Sequence, residues 1–503
     1  MTRGAMSVKG FLFSFFVLLL LFPSAVISQS VWSNIYWGGP DSGEEFFSII
    51  ETADQALLAA GRATLPTVGY GAWLVKTNLD GDTLWTRTYV ESGWDAANEV
   101  IETSDQAYLF VGSQQGELSK PWMVKTNLSG DTLWTRRYGD NDEGGLNAVV
   151  ETSDGGYLMV GKTRPADSWF FDAWMVKTDV DGIMEWEQSY GADSFNDEFN
   201  SIVETSDESY LVGGTGSSSG AGYGDLWLVK TNFSGDTLWT KTFGGANWEY
   251  GYSAIETIGN QYIIAGETQL AFGSGNYDAL IIKTDLDGNE IWSRTYGGTR
   301  NDGVRSVIET LGGNLLLGGR TVSYGMGSFD IWLFKIDQQG NQVWSQTYGG
   351  RDGDQGESMI LSSDEAIVIA GSYTSRITSS GEDEQGGVII KTDSLGFTYP
   401  PVVSIQATGV IPKQNCLSVS PNPTNAACHI SYTLTESSVV SVEISNILGK
   451  RVWGALLGER QPGSYSFSWN TKDSRGNDLE SGVYILRVLT PYESSSKKLM
   501  VLK

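Results

Sequence analysis

One phrase is written along this chain again and again: "KTNLDGDTLWTRTY" begins at Lys76, "KTNLSGDTLWTRRYG" at Lys125 and "KTNFSGDTLWTKTFG" at Lys230. Aligned on a glutamate, the units start at Glu51, Glu102, Glu151, Glu204, Glu256, Glu309 and, out of pattern, Leu361, with spacings between 49 and 53 residues. Ten residues further on stands a glycine in every unit: Gly61, Gly112, Gly161, Gly214, Gly266, Gly319 and Gly371. A lysine follows each time: Lys76, Lys125, Lys177, Lys230, Lys283, Lys335 and Lys391. A period of this size means one supersecondary unit stacked on copies of itself, because a single unit cannot bury its own apolar faces.

Each unit holds four short runs of strand character, for example "SIVET", "SYLVGG", "DLWLVKT" and "TLWTKTF", separated by turn residues and without a helical period. In "TNLDGD" an Asn or Asp opens a turn and Gly81, like Gly235, takes positive φ, joining the last two strands as a hairpin. The expected fold is therefore all-β: a seven-bladed β-propeller of four-stranded blades over residues 29–399. The fourth-strand tryptophans Trp85, Trp134, Trp186, Trp239, Trp292 and Trp344 are one short of seven. "VWSNIYWGG" around Trp32 matches "VWSQTYGG" around Trp344, so the N-terminal strand is expected to close the last blade. The first units look like kelch repeats in their glycine and tryptophan placement. They also resemble the tryptophan-docking repeats of quinoproteins, where a turn such as Gly81 to Trp85 packs blade on blade.

The N-terminus carries Arg3, Lys9 and an apolar run over 11–22, then small residues, and reads as a signal peptide over 1–28. No later segment approaches the roughly 20 apolar residues a membrane helix needs, so the mature chain is expected to be exported without a transmembrane segment. The net charge of −27 lies in the repeats, and such a surface repels phosphate backbones, which excludes nucleic acid as a partner.

After a linker over 400–415 comes a different sequence, with "SPNPTN", "ISYTL", "ISNILGKRV", "SWNTKDSRGNDLESGVYILRV" and a terminal "KKLMVLK". Residues 416–503 resemble the Ig-like C-terminal sorting domain of type IX secretion cargo, close to the flagellar hook-capping Ig-like domain. The resemblance implies an antiparallel β-sandwich, outer-membrane secretion machinery as a partner, and a secreted or cell-surface location in a Gram-negative-type bacterium. Both cysteines, Cys416 and Cys428, lie here around Asn422; a disulfide or two buried thiols are both open.

The only histidine is His429, in the tail, so Ser-His and Cys-His catalysis and histidine-ligated metals are excluded from the repeats. Carboxylates remain. Seven residues before each repeat glutamate stand Glu44, Asp95, Gly144, Asp197, Glu249, Asp302 and Asp354. They fall where one blade leads into the next, which predicts an acidic ring around one mouth of the central channel. Such a ring can hold calcium or another ligand, and no other cofactor is expected. A repeated acid can equally cap its own loop. Trp94 and Trp248 do not recur and share that mouth; exposed aromatics beside acids suit a glycan or a protein surface. The repeat glutamate and lysine are expected to pair with each other. The leading expectation is a binding protein with an acidic mouth. A carboxylate-dependent glycan-active enzyme and a purely structural surface protein are the alternatives.

Overall fold

In the computed structural model, residues 31–398 and 418–503 are described apart from short stretches in the loops; the leader, the linker and Cys416 fall outside them. The first part is seven four-stranded antiparallel sheets. Blade one runs from an inner strand, Glu45–Glu51, through Ala56–Leu65 and Gly69–Asn78 to an outer strand, Thr83–Tyr89. Blade seven takes its outer strand from the other end of the chain: Trp32–Tyr36 pairs antiparallel with Asp383–Thr392, Trp32 opposite Lys391 and Tyr36 opposite Gly387.

The ring is closed. Each inner strand touches the next, and that of blade seven, Gln355–Leu361, touches that of blade one. Between the blades lie seven separate apolar clusters, one per interface. An open stack of seven sheets would have six. Burial on both faces is why runs such as "AWLV" are not alternating. Third-strand tryptophans Trp73, Trp122, Trp174 and Trp332 fill these interfaces and are almost wholly buried.

Every inner strand carries a bulge two residues after its start or close to it, such as the shift between Phe46 and Ser48. The glycine ten residues after the repeat glutamate sits opposite that bulge. A Cβ there would drive into a carbonyl oxygen of the inner strand: Glu45 for Gly61, Glu198 for Gly214, Gln355 for Gly371. Glycine is required in all seven blades for one steric reason.

Outer-strand tryptophans dock on the turn glycine of the following blade. Trp85 lies against Gly130, Trp134 against Gly182, Trp344 against Gly396, and Trp32 against Gly81, the seventh contact of the set. These rings are half-buried seams. Four residues on, in every blade but the fourth, where Phe243 stands, a tyrosine donates to the same glycine's carbonyl, as Tyr89 does to Gly130 at 2.7 Å and Tyr36 to Gly81 at 2.9 Å.

The expected pairing of repeat glutamate with repeat lysine does not occur. Glu51 instead accepts from the backbone N–H of Ser363 in the preceding blade at 2.6 Å, and Glu102 does the same from Ala53. Lys76 meets Asp54 at 2.6 Å and the Tyr108 hydroxyl of the following blade at 2.8 Å. The two charges sit on different strands with their turns pointing to opposite neighbours, which sequence spacing does not reveal.

The C-terminal part is a three-stranded and a four-stranded antiparallel sheet enclosing one core with Ile430, Val442, Trp469 and Leu486. Among the described residues no helix is long and apolar enough to cross a membrane.

Candidate functional site at the channel and its mouth

The six acids of the predicted ring are present but turned inward. Glu44, Asp95, Asp197, Glu249, Asp302 and Asp354 are all 0–1% exposed. They act within the chain: Asp354 accepts from Gly350 N–H at 2.7 Å in its own entry loop and from Thr374 N–H at 2.9 Å, beyond the second strand. Asp302 does likewise with Gly298 and Val322, and Asp95, Asp197 and Glu249 accept from Glu91, Ser217 and Gly245. Asp302 and Asp354 each tie two loops of one blade together, the capping role open to them from the sequence. Burial lifts Asp354 from 3.8 to about 7 and raises Glu249, with Asp330 and Asp225 adding repulsion. Calcium needs six or more oxygens. Among the described residues no three Asp, Glu, His or Cys side chains gather in a way that could hold a metal ion.

The symmetry breaks four residues before the repeat glutamate, at the bulge. Here stand Phe47, Asn98, Asn147, Asn200, Tyr252, Arg305 and Glu357. The three asparagines form a ladder around the axis: Asn98 donates to Leu146 O and Asn200 to Gly251 O, both at 2.8 Å, and Asn147 to Phe199 O at 2.9 Å. In the next three blades a charged cluster replaces the ladder. The Arg305 guanidinium lies 3.7 Å over the Tyr252 ring, and its Nε is 3.8 Å from Glu357. The Tyr252 hydroxyl donates to Glu267 at 2.9 Å, and Arg320 donates to Gln355 at 2.8 Å and stands 3.6 Å from Glu267. Burial opposes the Arg305 charge, but Tyr252, Glu357 and Glu267 together outweigh it and hold it protonated. Burial raises the Glu357 pKa against the pull of Arg305. Across the channel Glu99 accepts from Val149 N–H, and burial lifts it from 4.5 to about 7.

An aromatic stack leads from this cluster to the rim. Tyr252 stacks on Tyr250 with centroids 6.4 Å apart, Tyr250 on Trp248 at 5.8 Å, and Trp248 on Tyr223 at 5.8 Å, with interplanar angles of 8–19°. Tyr223 at the outer end is 61% exposed. Trp94 is 56% exposed in the loop of another blade, held by Tyr70 at 4.9 Å. Of the residues singled out from sequence, the structure thus brings Trp248 to the cluster, leaves Trp94 at a separate point of the rim and sinks the acids beneath both. Tyr223, Tyr250, Tyr252, Arg305 and Glu357 are not legible from the period because none of them recurs. The signal for Tyr252, Arg305 and Glu357 was the departure from asparagine at one repeat position; Tyr223 and Tyr250 do not stand there.

In the C-terminal part Cys428 is a buried free thiol whose pKa burial lifts to about 11. The disulfide suggested for it involves Cys416, outside the described residues. His429 is at the surface with Nδ1 3.1 Å from the Ser468 hydroxyl.

Residues 422–492 match the FlgD Ig-like domain family. No curated protein matches the chain. Among solved structures, PorZ, a surface component of the type-IX secretion system of Porphyromonas gingivalis, aligns over 93% of this chain and 60% of its own, at 12% identity and a TM-score of 0.42. A protein of unknown function from Bacteroides caccae aligns over 58% of this chain and 93% of its own, at 13% identity and a TM-score of 0.37. Puromycin hydrolase aligns over 80% of this chain and 62% of its own, at 12% identity and a TM-score of 0.47. The chain spans about three fifths of PorZ and of the hydrolase. Likenesses at this level carry no function across.

Proposed function

We propose that this chain is an exported propeller that binds a glycan at its loop-bearing mouth and is displayed at the cell surface or released. The apolar leader and the Ig-like tail support export, with outer-membrane secretion machinery acting on the tail. The observation that carries the binding role is the stack from Tyr223 through Trp248 and Tyr250 to Tyr252, ending on Arg305. Flat aromatic faces take the apolar side of a sugar ring, and at the inner end guanidinium and amide N–H groups donate to its hydroxyl oxygens while carboxylates accept from its hydroxyls. Removing the ring that links rim to channel, Trp248→Ala, should weaken glycan binding at least tenfold, and Tyr223→Ala less, both without lowering the melting temperature. A glycan array with no hits for the parent protein, or hits indifferent to Trp248→Ala, contradicts the proposal; a protein caught at the same face would replace glycan by protein.

A second reading, a carboxylate-dependent glycan-active enzyme, is favoured by one observation: Glu99 titrates near neutrality in a channel that also holds Glu357. Turnover of a bound glycan that vanishes in Glu99→Gln would establish it.

A further inference from the structure

At the end of the blades away from the mouth, the repeat lysine of five blades is satisfied by an aspartate three residues after the position of the repeat glutamate. Lys76–Asp54, Lys125–Asp105, Lys177–Asp154 and Lys391–Asp364 lie 2.6–3.0 Å apart, and Lys230 pairs with Asp207. In three blades a tyrosine of the following blade adds its hydroxyl, as Tyr157 does for Lys125 at 2.9 Å. Blades five and six have lost both partners: Gly259 and Gly312 stand in the aspartate's place, and Leu315 and Ile367 replace the tyrosine. Lys335 of blade six is half-buried.

Lys283 is nevertheless only 9% exposed. It lines a cleft of about 490 Å³ between blades five and six with Arg294, Gln261, Trp292, Gln338 and Gln339. The carboxylate whose field reaches it, Glu309, accepts from Ile258 N–H at 2.6 Å. Where the other aspartates stand there is space: a Cβ on Gly259 would meet nothing nearer than Gln261 Oε1 at 3.7 Å.

We propose that this cleft is an oxyanion site, in which a carboxylate or phosphate from outside the chain occupies the place that aspartate fills in five of the blades. An almost buried ammonium without its counter-ion gains from any anion that reaches it, and the forked guanidinium of Arg294 and the glutamine amides supply further donors. Burial lowers the Lys283 pKa against the field of Glu309, as expected of a cation short of a partner. The site is independent of the glycan mouth.

The test reads Lys283 directly, as its rate of acylation measured by mass spectrometry on the intact protein. Glucuronate or inorganic phosphate at tens of millimolar should slow acylation of Lys283 at least threefold, while glucose, or chloride at matched ionic strength, should not. Protection by glucuronate alone assigns a carboxylate ligand, and protection by phosphate alone a phosphoryl one. Gly259→Asp, which restores the motif of the five blades that carry the aspartate, should slow the basal reaction and abolish the protection by either anion. The surface change Arg294→Gln should weaken it. Equal protection by chloride, no protection by either anion, or a Gly259→Asp variant that behaves like the parent overturns the proposal.

Discussion

Two kinds of buried charge meet in this ring, and single residues separate them. Glu99 has a folded-state pKa near 7 against 4.5, so folding favours its protonated form. That contribution is fully present below about pH 4.5 and is lost as pH rises through 7. Glu99→Gln keeps an acceptor for Val149 N–H and removes the ionisation. It should match the parent in stability at pH 4.5 and exceed it by about 1–3 kcal/mol at pH 8.5, read from denaturant melts; a difference that does not change with pH contradicts the burial argument. Lysine partners differ by exposure in the same way. The Asp364 side chain is 13% exposed beside a wholly buried Lys391, whereas that of Asp54 is 60% exposed beside Lys76. Asp364→Asn should therefore cost about 3 kcal/mol and Asp54→Asn about 1 kcal/mol or less. Equal losses would mean that burial does not set the strength of these pairs.

At the scale of strands, the recurrent features were legible from the sequence and the singular ones were not. The glycine of each second strand, the turn glycines and the outer tryptophans recur because each blade solves one packing problem, so a period exposes them. What the period could not show was direction. Trp85 packs on Gly130 of the next blade and not on its own turn, and Glu51 reaches back while Lys76 reaches forward. Nor does a period show depth, which is why the acids expected at an open mouth prove to be buried. The bulge position carried the most specific information and recurs least. Bulge geometry predicts a sharp contrast: Gly214→Ala drives a methyl into Glu198 O and should cost about 3 kcal/mol or more, whereas Gly353→Ala meets nothing within 4 Å and should change stability by less than about 0.5 kcal/mol. Denaturant midpoints of the two variants decide it, and similar values would refute the steric reason for the repeated glycine.

For the molecule as a whole, closure is what sets Tyr252, Arg305 and Glu357 around one channel with Phe47 and the asparagine ladder. It depends on a strand of five residues, Trp32–Tyr36, joining sequence more than 300 positions away. Such long-range pairing is gained late in folding and removes the exposed edges of the end blades. Without it, the Asp383–Thr392 strand would be paired on one side only, and alternate amides would face water. Hydrogen exchange at the amides of residues 387–391 reads this directly. In a ring closed by the N-terminal strand all five exchange slowly and alike, and deleting residues 29–37 makes every second one fast. An alternating pattern in the intact chain would show that the two ends do not meet.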